Sequence, residues 1–166
     1  MQISYRSVHL VEVSGATVAV NTTAYADNDL VGTLLTLPNA TPVGHGGILQ
    51  ALTLHDLTAQ NAALEVYVFK SNPSATTFTN NGALDIADAD LPKIVAAFSV
   101  AATDYFSLAD NSVAQVSNLA IPIPPGESGQ NSGGGVLYAC FRSAAATPTY
   151  DASALSAIFH FLQDPG

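Results

Sequence analysis

The sequence predicts an all-β domain, an antiparallel β-sandwich with one or two short helical turns. Two observations carry that prediction. Apolar runs rich in Val, Ile, Leu, Phe and Tyr recur every ten to twenty residues, and clusters of Gly, Pro, Asn and Asp separate them. The 166 residues suit a single domain spanning 1–166, and a domain of this size buries roughly 70 % of its unfolded surface without needing a disulfide or metal.

Eight to ten strands are expected. The candidates are Ile3 to Val13, Ala16 to Asn21, Val31 to Leu37, Gly47 to Leu57, Ala62 to Lys70, Ile94 to Val100, Val113 to Ile121, Val136 to Arg142 and Leu155 to Gln163. A period of two is legible within several of them. Ile48, Leu52 and Leu54 share one face with Gln50, and Leu49, Ala51, Thr53 and His55 share the other. In the run 62–70, Leu64, Val66 and Val68 line one face while Glu65, Tyr67 and Phe69 line the opposite one, so both faces carry large side chains. A second subunit is the expected cover for that second face.

Two intervening stretches read as short helices or turns. Asn72 to Phe78 opens on an Asn-Pro turn starter, and Ala87 to Lys93 offers Asp88 and Asp90 as caps before Pro92. Pro122 to Gly135 holds three prolines and five glycines; it reads as an exposed loop, excluded from a central strand, and as the most mobile element.

Charged residues are only 10 % of the chain, against about 25 % in an average soluble domain, so much of the exterior must be Ser, Thr, Asn, Ala and Gly. Such a surface has few charges to strip of water, which favours extensive contact with other protein and makes assembly the default expectation. Thirteen acidic residues against four basic ones give a net charge of −9 and no footing on a phosphate backbone, which argues against direct nucleic-acid binding. No run approaches the ~20 apolar residues that span a bilayer, and Met1 to Tyr5 lacks the features of a secretory signal. The expectation is synthesis in a host cytoplasm and no membrane partner.

Residues able to do chemistry are present but dispersed. His9, His45, His55 and His160 never pair at a metal-ligand spacing. His55 and Asp56 are adjacent, which in a strand sends them to opposite faces rather than into a catalytic couple. Gly44-His45-Gly46-Gly47 resembles a lipase oxyanion loop, yet no Gly-x-Ser-x-Gly elbow accompanies it, and a tight loop before the next strand accounts for the glycines. Asp85, Asp88 and Asp90, with Asp27 and Asp29 elsewhere, lack the glycine and glutamate of a calcium loop, and capping or turn formation accounts for them. Cys140, alone in the apolar run 136–141, is expected to be buried and inert. No catalytic, metal or cofactor site is expected, and the chain is not expected to be an enzyme.

The segments Val68 to Asn81, Leu84 to Leu91, Asp110 to Val113, Leu119 to Pro122, Leu137 to Cys140 and Phe161 to Asp164, which together extend the likeness over most of the chain, resemble a family of tailed-bacteriophage virion proteins. The resemblance implies a capsid decoration or cement protein with a jelly-roll-like sandwich, assembled as a homotrimer on the outer capsid surface of the virion. The major capsid protein would be its partner, and bridging of shell subunits its means of stabilising the shell. The candidate contacts are Gln2, Ile3, Tyr5 and Arg6 near the start, Tyr67 and Phe69 on the two-sided strand, and His160 and Leu162 in the terminal segment 160–166, because terminal strands can extend a neighbour's sheet. The acidic balance suits basic patches on a shell, with an attraction that salt weakens. The rival expectation is a receptor- or glycan-binding module of a tail or head fibre, with Tyr25, Tyr105 and Tyr150 as loop aromatics able to stack on sugars.

Overall fold

The computed structural model describes residues 9–128, 134–144 and 147–163. Eleven strands run in chain order: β1 His9–Val18, β2 Leu30–Pro42, β3 Gly47–Asp56, β4 Leu64–Phe69, β5 Ile94–Val100, β6 Tyr105–Ser107, β7 Ser112–Val116, β8 Ile121–Ile123, β9 Glu127–Ser128, β10 Gly134–Ser143 and β11 Leu155–Gln163. One sheet has the order β1-β11-β3-β7-β6, with β8 also on β3; the other has β2-β10-β4-β5, with β9 also on β10.

The pairing is nested. β1 pairs with β11, β2 with β10, β3 with β7 and β4 with β5, all antiparallel. The chain is therefore one long hairpin whose successive pairs fall alternately in the two sheets, which is the jelly-roll arrangement expected above.

Between the sheets lies an apolar core that includes Leu37, Leu49, Leu52, Leu54, Leu64, Val66, Val68, Phe141, Phe159 and Phe161. Strand β11 displays the underlying period: Leu155, Ala157, Phe159 and Phe161 are buried, and Ser156, Ile158, His160 and Leu162 alternate with them on the open side. Each fully buried Leu or Phe contributes roughly 1.5–3 kcal/mol.

Strand β3 departs from the expected faces. Its pairing with β11 shifts between His160 and Phe161, so that Gln50 is an extra residue opposite the step. Beyond such a bulge the alternation changes phase. Leu49 accordingly shares the buried face with Leu52 and Leu54, and Ile48, which the sequence reading placed with those two leucines, is 39 % exposed. The same bulge breaks the run 113–121. β7 pairs with β3 from Leu52 to Asp56, β8 pairs from Gly47 to Leu49, and Leu119 N donates to the Gln50 carbonyl (3.0 Å) in the gap.

The loop expected over 122–135 is also partly strand. Pro122 sits in β8, which among the described residues pairs with β3 alone, and Gly134 and Gly135 open β10 opposite Pro42 and Thr41. A side chain at Gly135 would overlap Thr41 Oγ1, so the glycine is there to let the two strands close. Residues 129–133 lie outside the described residues, and so does the part of the first expected strand before His9. From His9 onward, the two strands expected over 3–13 and 16–21 are one, β1, with irregular pairing between Val13 and Ala16.

A second apolar cluster forms on the outer side of the β2-β10-β4-β5 sheet. Leu30, Phe69, Leu84 and Cys140 are buried there, with Phe78, Ile86, Ile94 and Tyr138 packed around them. Phe69 is fully buried and meets Phe78 edge-on at 6.3 Å. The chain's own excursion 70–93 thus covers Phe69, and no second subunit is needed to do so. The excursion is tied to β2 through Leu30 N to the Gly82 carbonyl (2.8 Å) and Asn81 N to the Leu30 carbonyl (2.9 Å).

Asp90 fastens the excursion from within. Its carboxylate is buried; Oδ2 accepts from Ala75 N (3.0 Å), Thr76 N (2.7 Å) and Thr76 Oγ1 (2.7 Å), and Oδ1 meets Lys93 Nζ at 2.8 Å. It does not cap the single 3-10 turn Leu91–Lys93 that follows it, contrary to the sequence reading. Asn72 to Phe78 forms a turn without a helix, and a second 3-10 turn, Ala102–Asp104, was not foreseen.

Cys140 is fully buried, and burial pushes its thiol up to about 12. Native protein at pH 8 is therefore expected to resist a thiol-specific aromatic disulfide reagent, with one equivalent reacting only in denaturant. Rapid reaction without denaturant would contradict this burial.

Candidate docking face

The two sheets differ in what covers their outer faces. The β2-β10-β4-β5 sheet is overlaid in part by the excursion 70–93. On its uncovered part Glu65, Tyr67 and Arg142 satisfy one another. Tyr67 Oη donates to Glu65 Oε2 (2.6 Å), Arg142 Nε donates to the same oxygen (2.8 Å), a second guanidinium nitrogen reaches it too, and the guanidinium lies 5.7 Å over the Tyr67 ring. Burial and the Glu65 carboxylate push Tyr67 up to about 12. The Tyr67 hydrogen bond, then those of Arg142, hold Glu65 below the usual carboxylate range against the effect of burial. This cluster is closed on itself.

Among the described residues, nothing covers the outer face of the other sheet. The register across it sets Thr17, Ser156, His55, Val113 and Phe106 in one row. Ile158, Thr53 and Gln115 form the next row, and Glu12, His160 and Ala51 another. Leu162, Ile48 and Pro122 lie at the far end. Among these residues Glu12 carries the only formal charge, and its Oε1 lies 3.6 Å from His160 Nδ1. The polar groups bond sideways within the face: Thr53 Oγ1 is 3.0 Å from His160 Nε2, and Ser156 Oγ is 3.3 Å from His55 Nδ1. A face whose polar groups already have partners in the sheet loses little when water leaves it.

This face ends in a corner of exposed apolar side chains. Phe106 is 69 % exposed, Leu57 62 % and Leu108 57 %. Leu57 leaves β3 after Asp56 and Leu108 leaves β6 after Ser107. Both strands run antiparallel to the intervening β7, so the two leucines emerge at the same end of the sheet.

No protein-family model matches the sequence, and no curated protein matches it either. Among solved structures, a chain of the native Kashmir bee virus virion at acidic pH aligns over 92 % of this chain and 67 % of its own, at 11 % identity and a TM-score of 0.27. A likeness that slight carries no argument about fold or function.

Of the residues expected to make contacts, His160 and Leu162 lie on the open face. Tyr67 lies on the opposite sheet, half-buried in the Glu65–Arg142 cluster, and Phe69 is enclosed by the chain itself. Gln2, Ile3, Tyr5 and Arg6 lie outside the described residues. The corner at Leu57, Phe106 and Leu108 was missed. Its signal in the sequence was three large apolar residues flanked by turns, which alone does not separate a surface knob from a core strand.

Tyr25 and Tyr150 lie in loops as expected, and Tyr105 lies in β6, but none stands free of the core. Tyr25 and Tyr150 are buried edge-to-face at 6.0 Å, and Tyr105 opens β6, packs on the core and donates to the Ala62 carbonyl (3.0 Å). Burial raises all three phenols. None is presented to a sugar.

The other residues weighed for chemistry are spread apart. Asp56 is buried and accepts from Thr58 N (2.9 Å), Thr58 Oγ1 (2.8 Å) and Asn61 N (3.1 Å), closing the turn after β3, while His55 faces outward. Asp29 closes the 26–29 turn by accepting from Ala26 N (2.7 Å). Gly44 adopts φ +70° in the loop before β3, with His45 N donating to the Pro42 carbonyl (3.1 Å). Among the described residues, no three His, Cys, Asp or Glu side chains are grouped to hold a metal.

Proposed function

We propose that this protein is a virion structural protein of the capsid decoration type. In this reading it binds the outside of an assembled phage shell, takes the major capsid protein as its partner, self-associates as a trimer and has no catalytic role. The observation that carries the reading is the outer face of the β1-β11-β3-β7-β6 sheet, where among the described residues Glu12 is the one formal charge, on a molecule with a net charge of −9. Such a face suits burial against protein, and a jelly roll is a fold that capsid subunits use, although fold by itself does not set function. The resemblance of the sequence to tailed-phage virion proteins supports the same role. The glycan-binding alternative loses its support with the burial of Tyr25 and Tyr150 and the packing of Tyr105 against the core.

A ligand that binds only the closed shell stabilises it in proportion to RT ln(1 + [L]/Kd), about 2.7 kcal/mol per site at a hundredfold excess over Kd. Purified protein mixed with bare mature shells is expected to co-sediment to saturation at a fixed ratio to the major shell protein and to raise the shell's melting temperature. Light scattering on the free protein counts its subunits. Absence of binding to every shell form would overturn the reading.

A further inference from the structure

The geometry points to the corner at Leu57, Phe106 and Leu108 as the anchor of the docking face, built to enter an apolar recess ringed by Lys or Arg on the shell protein. The inference rests on the decoration reading above. The three side chains are each more than half exposed and sit where the open face meets the end of the sheet. Large apolar anchors grouped in this way carry most of the energy at protein interfaces.

The charge around the corner specifies the partner. Asp104 is two residues before Phe106, and Asp110 stands in the turn closed by Leu108 N to the Asn111 carbonyl (2.8 Å). Asp151 belongs to the turn whose Ala154 carbonyl accepts from Leu57 N (2.9 Å). Among the described basic residues, Arg142 is paired with Glu65 on the outer face of the second sheet, Lys93 is paired with Asp90, and Lys70 follows the opposite end of that sheet. The corner is thus an apolar knob with a rim of carboxylates that no described base neutralises.

That rim disfavours other occupants. In a two-fold contact between copies it would meet its own equivalent, setting like charges against one another. An anionic lipid surface would repel it. Strand addition is disfavoured too, because the edge strand β6 has only three residues. A cationic protein surface satisfies both the apolar and the acidic parts.

The test uses full-length protein and bare mature shells, comparing wild type with Phe106→Ser/Leu108→Ser and with Asp110→Asn/Asp151→Asn. All four positions are exposed, so thermal melts of both variants should match wild type. The apolar pair is expected to weaken shell binding about tenfold or more, the scale of losing one interface anchor. The amide pair is expected to weaken it less and to flatten its salt dependence. If wild type binds and the apolar pair binds equally well, the anchor is wrong while the decoration reading stands. If wild type binds no shell, both fall. If instead the apolar pair turns an oligomer into a monomer in sedimentation velocity and leaves shell binding unchanged, the corner joins copies of this chain and the proposed partner is overturned.

Discussion

Phe159→Ala is expected to cost about 3–5 kcal/mol of folding stability, the range for removing a ring from a packed core. The ring is fully buried on β11 and lies 6.3 Å from Phe141, which belongs to β10 in the opposite sheet, and 6.5 Å from Phe161 on its own strand. It therefore joins the two layers, and neighbours fixed in two hydrogen-bonded sheets can collapse only partly into the space it leaves. Domains of this kind are stable by roughly 5–15 kcal/mol in total, so the variant should be near the limit of folding. Urea unfolding of both proteins reads the difference directly. The outward neighbour Ile158 provides the contrast, since Ile158→Ala removes a side chain from the open face and should cost much less. Equal losses at 158 and 159 would contradict the assignment of faces.

Asp90→Asn is expected to loosen the excursion 70–93 and lower the melting temperature by several degrees, with a pH signature. Burial works against the carboxylate's charge, but the hydrogen bonds from Lys93 and Thr76 outweigh it and hold Asp90 below its ordinary value of 3.8. A group whose folded value is depressed binds protons more readily when unfolded. Its stabilising contribution is complete above the unfolded value, near pH 4, and disappears as pH falls through the lower folded value. The gap in melting temperature between wild type and Asp90→Asn should be widest near neutral pH and should narrow below about pH 4. A gap that widened on acidification would contradict the ionised pairing with Lys93. Hydrogen exchange should show the change first at Thr76 N, whose acceptor is the Asp90 carboxylate.

Much of the fold was legible in the sequence because it rests on local patterning. Ile94–Val100 and Leu155–Gln163 have the same bounds in the sequence reading and in the structure, since each is an apolar run closed off by turn residues. Strands with neighbouring turn chemistry of their own, such as Gly47–Asp56, differ by a single residue. The scarcity of charge in the sequence reappears on the outer face of the β1-β11-β3-β7-β6 sheet, where among the described residues Glu12 is the one formal charge. Short strands with little apolar periodicity, Tyr105–Ser107 and Glu127–Ser128, went unseen because their pairing partners, not their own residues, make them strands.

The amino-acid sequence alone determined the strand-rich class, the bounds of β11 and the low cost of dehydrating the surface, all of which follow from residue type and its spacing. Tertiary structure decided which side of each strand meets solvent. A period of two orders side chains only relative to one another, and the bulge at Gln50 resets that phase to bury Leu49 and expose Ile48. It also decided that Tyr25 and Tyr150 are core residues, because each is covered by a segment distant in the chain, and that Phe69 is enclosed, because the excursion that follows it folds back over the sheet. The corner at Leu57 and Leu108 exists only because two strands, far apart in sequence, leave the sheet on the same side of β7.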